Sequence, residues 1–292
     1  MLEPLRHFAL VAQYRTFTAA ARHAHVTQPA LTASIQRLEA QLGARLFDRG
    51  PGGATLTAAG DALLPRARAA LAAVEEGRRA VAEVMGLTAG SVRLGAGATA
   101  CTYYLPGVLA RFRAKHAAVS ILLREANQDD LLDALEAGDL DLAILARVSA
   151  PGAGRTRASP DLLRAARSGL AREKWLEDEL VLVAAPGEGA ANAPIVTLAR
   201  GTTTRLLTDR YFPERPVAME LGSIAAVKAN TRAGVGVALL SRRAVERDLA
   251  QKALAIVPAE RTPISRPFYL VHRGRDRLPP AALALHRLLR KP

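Results

Sequence analysis

Between Phe17 and Leu42 the apolar and small side chains fall into two sets. The first is Phe17, Ala20, Ala21 and Ala24, and the second is Leu31, Ile35, Leu38 and Leu42. Each keeps the i, i+3, i+4 spacing of a helix that buries one face. The alanines of the first set allow a second helix to approach closely, and Val26 can plug the turn between them. The pattern predicts a short helix, a tight turn and a longer helix beginning at Thr27. Thr27 is a good N-cap, and Pro29 sits in the first turn, where a missing N–H costs little. Gln28, Thr32, Ala33, Gln36 and Arg37 remain on the outer face of the second helix. Short polar and amide side chains there suit base edges in a major groove. The same spacing also describes a solvated αα-hairpin.

The flanking pattern narrows the choice. GARLFDRGPGGATLTAAG, from Gly43 to Gly60, places two apolar runs around a Pro-Gly-Gly tip, the pattern of a small hairpin. A helix pair followed by such a hairpin is the layout of a winged helix-turn-helix. Thr57 then caps a long helix whose seam is Leu63, Ala67, Ala70, Leu71, Val74, Val81 and Val84. An apolar seam on a solitary connecting helix needs a partner, most simply the same helix of a second subunit. Pro65 predicts a local distortion, and GLTAG at Gly86 to Gly90 marks a hinge.

From Ser91 the periods alternate. SVRLGAG reads as a strand, TYYLPGVLARFRAKH as a helix, VSILLREAN as a strand, DDLLDALEAGDL as a helix and DLAILARV as a strand. A second set follows with ELVLVAAP, a helix near Thr203, PVAMELG, SIAAVKANTRAG and VGVALLS, before RPFYLVHR and LPPAALALHRLLR return to the first lobe. Strand–helix alternation implies a parallel sheet covered by helices, here as two lobes joined by two crossovers. The Arg-, Ala-, Gly- and Pro-rich segment between Val148 and Trp175 reads as a surface loop with a short helix. Such insertions are tolerated at small entropic cost, although an extra DNA- or subunit-contacting element is the other reading.

The motifs FxxAA at Phe17 to Ala21, VTQPALT at Val26 to Thr32, LE at Leu38 and Glu39, LGARLFDR at Leu42 to Arg49 and LTAAG at Leu56 to Gly60 form an ordered set. With that set the chain resembles the LysR-type transcriptional regulators. The resemblance implies an α+β two-domain protein with an N-terminal winged helix-turn-helix, a long linker helix and a C-terminal bilobed α/β effector domain like the periplasmic binding proteins. The implied boundaries are 1–58 for the DNA-binding domain, 59–89 for the dimerisation linker and hinge, and 90–292 for the effector domain. Lobe I covers about 91–173 and 267–292, and lobe II about 174–266. The implied partners are double-stranded DNA carrying interrupted inverted repeats, further copies of the chain as a homodimer or homotetramer, a small anionic organic effector, and RNA polymerase. No cofactor or metal is implied.

By the same resemblance, Gln28, Pro29, Thr32, Ala33 and Gln36 contact base edges, and Thr27, Ser34, Arg37 and Arg49 contact phosphates. Gln pairs bidentately with adenine, which gives Gln28 or Gln36 a way to discriminate. Ala33 departs from the family pattern, offering only a methyl contact, and the wing tip lacks the basic residue that relatives often carry. The wing tip therefore predicts fewer wing–phosphate contacts and a shallower salt dependence. For the effector, the candidates are Thr99 and Thr102 after the first strand, and Thr202, Thr203 and Thr204 at a second helix start, where N–H groups hold small anions. Asn127, Gln128, Arg147 and Ser223 complete the wall.

Composition adds bounds. The chain has 292 residues, half of them hydrophobic, enough for two domains. No apolar run is long enough to span a bilayer and nothing near Met1 resembles a signal peptide, so a cytoplasmic location is expected. The formal charge is +13, yet residues 1–90 hold 10 Arg against 7 Asp and Glu, leaving most of the excess outside the DNA-reading unit. Charge therefore adds little to the motif, and an Ala- and Arg-rich genome would produce the same balance. An enzyme or transport binding protein on the second domain is the competing class. There is no GxSxG, HExxH or Walker run, and the six His are scattered, so no enzymatic activity is expected. GAGATA at Gly95 to Ala100 has the outline of a dinucleotide fingerprint, but Glu125 lies farther on than the required acidic residue. Cys101 is the single cysteine. With no second thiol to resolve a sulfenate, a small buried thiol is the simpler reading.

Overall fold

The structure, a computed structural model, describes residues 2–50, 53–84, 90–148, 160–187, 192–259 and 261–290. The chain divides into two compact units, one of Met1–Leu87 with Glu136–Asp139 and the other of Thr88–Leu135 and Leu140–Pro292. The predicted hinge (residues 86–89) and wing tip (51–52), and most of the inserted loop (149–159), lie outside the described residues.

The first unit begins with a helix that the spacing analysis did not anticipate, α1 (Leu2–Tyr14). It is followed by α2 (Phe17–His23), α3 (Gln28–Leu42), the antiparallel hairpin β1 (Phe47–Gly50) and β2 (Gly53–Leu56), and α4 (Ala58–Val84). Thr16 caps α2 and Thr27 caps α3 through their side-chain oxygens, which accept the N–H of Ala19 and of Ala30. Gly43, in the left-handed conformation, ends α3. The core is Ala20 and Ala21 of α2, Leu31, Ile35 and Leu38 of α3, Phe8 and Val11 of α1, Phe47 and Ala54 of the hairpin, and Ala67 of α4. Leu42, placed on the buried face by spacing, is instead 44% exposed, because the helix ends there and its last turn projects past the core. Glu39 ties the helix to the hairpin by accepting the N–H of Leu46 (2.7 Å). Thr57 donates its hydroxyl to the carbonyl of Arg45 and accepts the N–H of Gly60, capping α4 as predicted. Pro65 lies inside α4, which runs as one helix. Its seam divides: Ala67 is buried in the core of this unit, whereas Val74 and Val81 are exposed.

The second unit contains a seven-stranded sheet in the order β10-β6-β11-β5-β3-β4, with β9 also paired to β6. The strands are β3 (Ser91–Ala96), β4 (Ser120–Glu125), β5 (Leu142–Ala146), β6 (Ala171–Ala184), β9 (Ala238–Ser241), β10 (Ala255–Ile256) and β11 (Ile264–His272). The prediction of a parallel sheet holds for β3 with β4 and β5, but β6 and β11 run antiparallel to their neighbours. These two long strands are the crossovers. Ala171–Leu176 of β6 pairs with the C-terminal part of β11 in lobe I, and Leu180–Val183 pairs with β9 in lobe II. A two-stranded parallel sheet of β7 (Ile195–Leu198) and β8 (Val217–Leu221) completes lobe II. Strand β7 and the helix α10 (Arg242–Ala250) were not read from the sequence.

The helices of the second unit are α5 (Leu105–Lys115), α6 (Gln128–Ala137), α7 (Pro160–Arg167), α8 (Thr203–Tyr211), α9 (Ile224–Arg232), α10 and α11 (Pro280–Leu289). The single helix predicted from Thr102 divides into a π-helical turn, Ala100–Tyr104, and α5, with Pro106 in the first turn of α5. Helix α7 is the short helix read in the inserted segment, and it packs inward: Leu162 and Ala165 are buried in one cluster with Leu131, Leu135 and Val271. Gly95, from the GAGATA run, lies where a Cβ would sit 2.5 Å from both Leu131 and Leu140, so helix–sheet packing accounts for it. No helix among the described residues is long and apolar enough to cross a membrane.

Candidate DNA-reading face and effector cavity

On α3 the inward face carries Leu31, Ser34, Ile35 and Leu38, all buried, and the outward face carries Gln28, Pro29, Ala33, Gln36 and Arg37, all exposed. Thr32 is half-buried at the edge of that face, and Thr27, exposed, caps the helix start. The five positions suggested for base contact therefore share one side of a helix whose other side is fixed in the core. Ser34 is the correction. It is 3% exposed, and its hydroxyl pairs with Nδ1 of His7 (2.8 Å), so it holds α3 to α1 and is not presented to a phosphate. Burial lowers the His7 pKa, which favours the neutral ring. Arg49 lies on β1 opposite Ala54.

In the second unit a cavity of about 230 Å³ lies between the lobes. Its wall brings together Thr99, Asn127, Gln128, Thr202, Thr203 and Thr204, six of the nine effector candidates, with Gly97, Ala98, Glu125, Ile144, Leu198, Arg266 and Phe268 among the others. Thr102, Arg147 and Ser223 do not line it. Ser223 caps α9 by accepting the N–H of Ala226, and Arg147 continues past β5, its N–H donated to the carbonyl of Pro267.

The six differ in what they can offer. Asn127 caps α6, its Oδ1 accepting the N–H of Asp130 and its Nδ2 donating to the Asp130 carboxylate. Gln128 accepts the N–H of Ala146 and donates to Asp161 of α7 (2.6 Å each). Both amides are occupied within the protein. The Thr202 hydroxyl donates to the carbonyl of Ala199 and accepts the N–H of Arg205. Among the described residues, the N–H groups of Thr203 and Thr204 and the hydroxyls of Thr99 and Thr203 have no hydrogen-bond partner. These are the groups free to meet a ligand.

Behind the cavity lies a buried ionic network that sequence reasoning missed. Arg266, 2% exposed, donates through Nε (2.9 Å) and Nη2 to Oδ2 of Asp178, and through Nη1 to the Thr204 hydroxyl (2.9 Å). Oδ1 of Asp178 accepts the hydroxyls of Tyr104 and Ser241 (2.6 Å each). The Arg266 guanidinium also stands 5.2 Å from the ring centroid of Phe268. Burial, then the bond to Asp178, pushes the Tyr104 phenol well above its usual range. Asp178 and Arg266 sit where β6 and β11 pass from one lobe to the other, and they link Tyr104 of lobe I to Ser241 and Thr204 of lobe II. Arg266 is the one Arg, Lys, Asp or Glu of β11, which was the available signal, whereas Asp178 is one of six charged residues in β6 and nothing local set it apart.

Two other clusters have chemical potential and do not form sites of this kind. Glu173, His272 and His286 gather three potential metal ligands. However, the N–H of Gly274 points at Nδ1 of His272 (3.1 Å), so Nε2 carries the proton donated to Glu173. A metal at Nε2 needs the opposite tautomer. Arg275 and Arg290 also already flank that carboxylate, and Arg275 above all lowers its pKa to about 2. The Cys101 thiol donates to the carbonyl of Ala96 and is pushed up to about 11 by burial and by Glu125, which keeps it protonated and poorly nucleophilic.

A reading helix on a small rigid head, with a separate two-lobed domain around a cavity, defines a ligand-responsive DNA-binding regulator. Residues 2–61 match the bacterial regulatory helix-turn-helix protein of the lysR family, and residues 85–291 match the LysR substrate binding domain. The chain belongs to the LysR-type transcriptional regulator family. It is 33% identical to the HTH-type transcriptional regulator CbbR of Rhodospirillum rubrum, over 97% of this chain and 94% of that one. It is 31% identical to CfxR of Cupriavidus necator, over 96% and 88%. Among solved structures, ArgP from Mycobacterium tuberculosis (TM-score 0.62, 21% identity, 98% and 95% covered) and Vibrio fischeri DarR in complex with DNA (TM-score 0.54, 20% identity, 100% and 99% covered) share the fold.

Proposed function

We propose that the chain acts as a homo-oligomer that reads interrupted inverted repeats near its target promoters, with a small effector in the cavity between the lobes setting how the paired heads engage the DNA. The division of α3 carries the reading: one face locked in an apolar core, the other a row of Gln28, Pro29, Ala33 and Gln36 with nothing in the head to bind. Gln28 and Gln36 supply the hydrogen bonds to base edges, while Thr27 and Arg37 hold the phosphates that fix register. Exposed Val74 and Val81 on α4 support pairing of that helix with its copy, since they continue its apolar seam.

The effector reading rests on the free donors of Thr99, Thr203 and Thr204 around one cavity. A ligand that bridges them favours one lobe arrangement, and linkage requires that DNA geometry and ligand affinity then influence each other. Fluorescence anisotropy with the promoter DNA beside its own gene tests the first part, and promoters of RuBisCO operons are useful probes because relatives are named for them. Selective binding with a Kd well below that for scrambled DNA is the expected result. Equal affinity for both would sink the reading.

A further inference from the structure

The two walls of the cavity make opposite demands on a ligand. On lobe II, the nine-residue helix α8 begins with two free N–H groups, those of Thr203 and Thr204, which favour an anionic group. On lobe I, Thr99 is only 7% exposed, lines the same cavity and leaves its hydroxyl without a protein partner, open to whatever enters the cavity. Beside it stands the carboxylate of Glu125, which ends β4 and has no hydrogen bond or ion pair among the described residues. The other charged side chain on the wall, Arg266, is taken by Asp178. The uncompensated full charge facing the cavity is therefore negative.

A ligand that is only anionic meets the helix start but sets like charge against Glu125. We propose that the effector is amphoteric, with a carboxylate seated on the first turn of α8 and the Thr99 and Thr203 hydroxyls, and an ammonium paired with Glu125. This rests on the reading of the cavity as the effector site and replaces the simple anion suggested by family resemblance.

The test uses the full-length protein and three matched series of probes measured by thermal shift and calorimetry. The first is α- and ω-amino carboxylates of four to six carbons, the second the same chains without the amino group, and the third the dicarboxylates. At least one amino carboxylate should bind about tenfold or more tighter than its des-amino partner, as a charge-assisted hydrogen bond provides. Glu125→Gln should abolish that preference, weakening the amino carboxylate and tightening the des-amino chain as the like charge is removed, and Thr99→Val should weaken both. Glu125 is exposed, so the substitution leaves the fold intact. Best binding by dicarboxylates, or a preference that Glu125→Gln does not alter, overturns the amphoteric assignment while the cavity stands as the effector site. Silence from all three series overturns both.

Discussion

The two units of this protein handle polar groups in opposite ways. Among the described residues up to Val84, the buried polar side chains are His7 and Ser34, which satisfy one another, and the rest of the core is apolar. The polar chemistry of the head lies on its surface, along α3. In the effector domain Asp178, Arg266, Thr204, Ser241, His272 and His286 are all buried, and the cavity wall is continuous with that network. The head can thus vary its reading residues without disturbing its fold, whereas in the effector domain the residues near the ligand are also structural. Recognition and stability are separable in one unit and coupled in the other.

The largest expected effect tests that coupling. Arg266→Met leaves Asp178 buried with only hydroxyl partners, and breaking one side of a buried ion pair costs about 3–5 kcal/mol. Urea unfolding followed by Trp175, which packs against the lobe I core beside Phe268, should report a loss of that size. A loss under about 1 kcal/mol would mean that the pair contributes no more than a surface one. Glu173→Gln comes next, at about 2–3 kcal/mol, because a carboxylate surrounded by Arg275, Arg290, His272 and His286 is replaced by a neutral amide.

The sign of its pH dependence follows from the shift. The folded pKa of Glu173, near 2, lies below its ordinary value, so its contribution is complete above the unfolded pKa and is lost as pH falls from about 4.5 toward 2. His286, lowered by burial, acts in the same direction at higher pH: its contribution is complete above about 6.5 and declines on acidification below that. The wild-type protein should lose stability over both windows, and Glu173→Gln should flatten the lower one. An unchanged acid limb in the variant would show that Glu173 does not set it.

These ionic groups were also the least legible part of the sequence. Helical spacing located α2, α3 and α4 and most of the buried faces of α2 and α3, because an amphipathic period is a local signal. Of the cavity, the hydroxyl-bearing helix starts were readable for the same reason, since capping residues announce themselves within three positions. Arg266 and Asp178 are 88 residues apart, and each looks like the polar position of an edge strand until β6 and β11 are seen to pair. The mixed sheet was hidden likewise, because alternation of strands and helices records connection and not strand direction. Ser34 fell on the wrong face because its partner, His7, belongs to a helix that the spacing analysis did not find.

In the head, a third substitution acts through a close approach of the backbone. A Cβ at Gly60 would sit 2.3 Å from the carbonyl oxygen of Leu46, at the contact between the first turn of α4 and the chain entering the hairpin. Gly60→Ala should force that contact apart and cost about 1–3 kcal/mol, lowering DNA affinity through loss of folded head. Added salt-free operator should partly rescue it by mass action, since ligand binding stabilises the folded state.

The sharpest form of the comparison fits on one helix, two residues apart. Ser34→Ala removes a buried hydrogen bond to His7 and should cost about 1 kcal/mol of stability. Its effect on operator affinity should be no greater than that destabilisation, because the side chain never reaches the outer face. Gln36→Ala should do the reverse. Gln36 is exposed and holds nothing in the head, so unfolding should change by less than about 0.5 kcal/mol. Operator binding should weaken by about 1–3 kcal/mol, with affinity for scrambled DNA retained. If Gln36→Ala instead weakens both DNAs equally, it contributes to phosphate positioning and the discrimination falls to Gln28 and Thr32. If Ser34→Ala were the more damaging of the two to sequence selectivity, the orientation of α3 in the groove, and with it the assignment of the outer face, would have to be reversed.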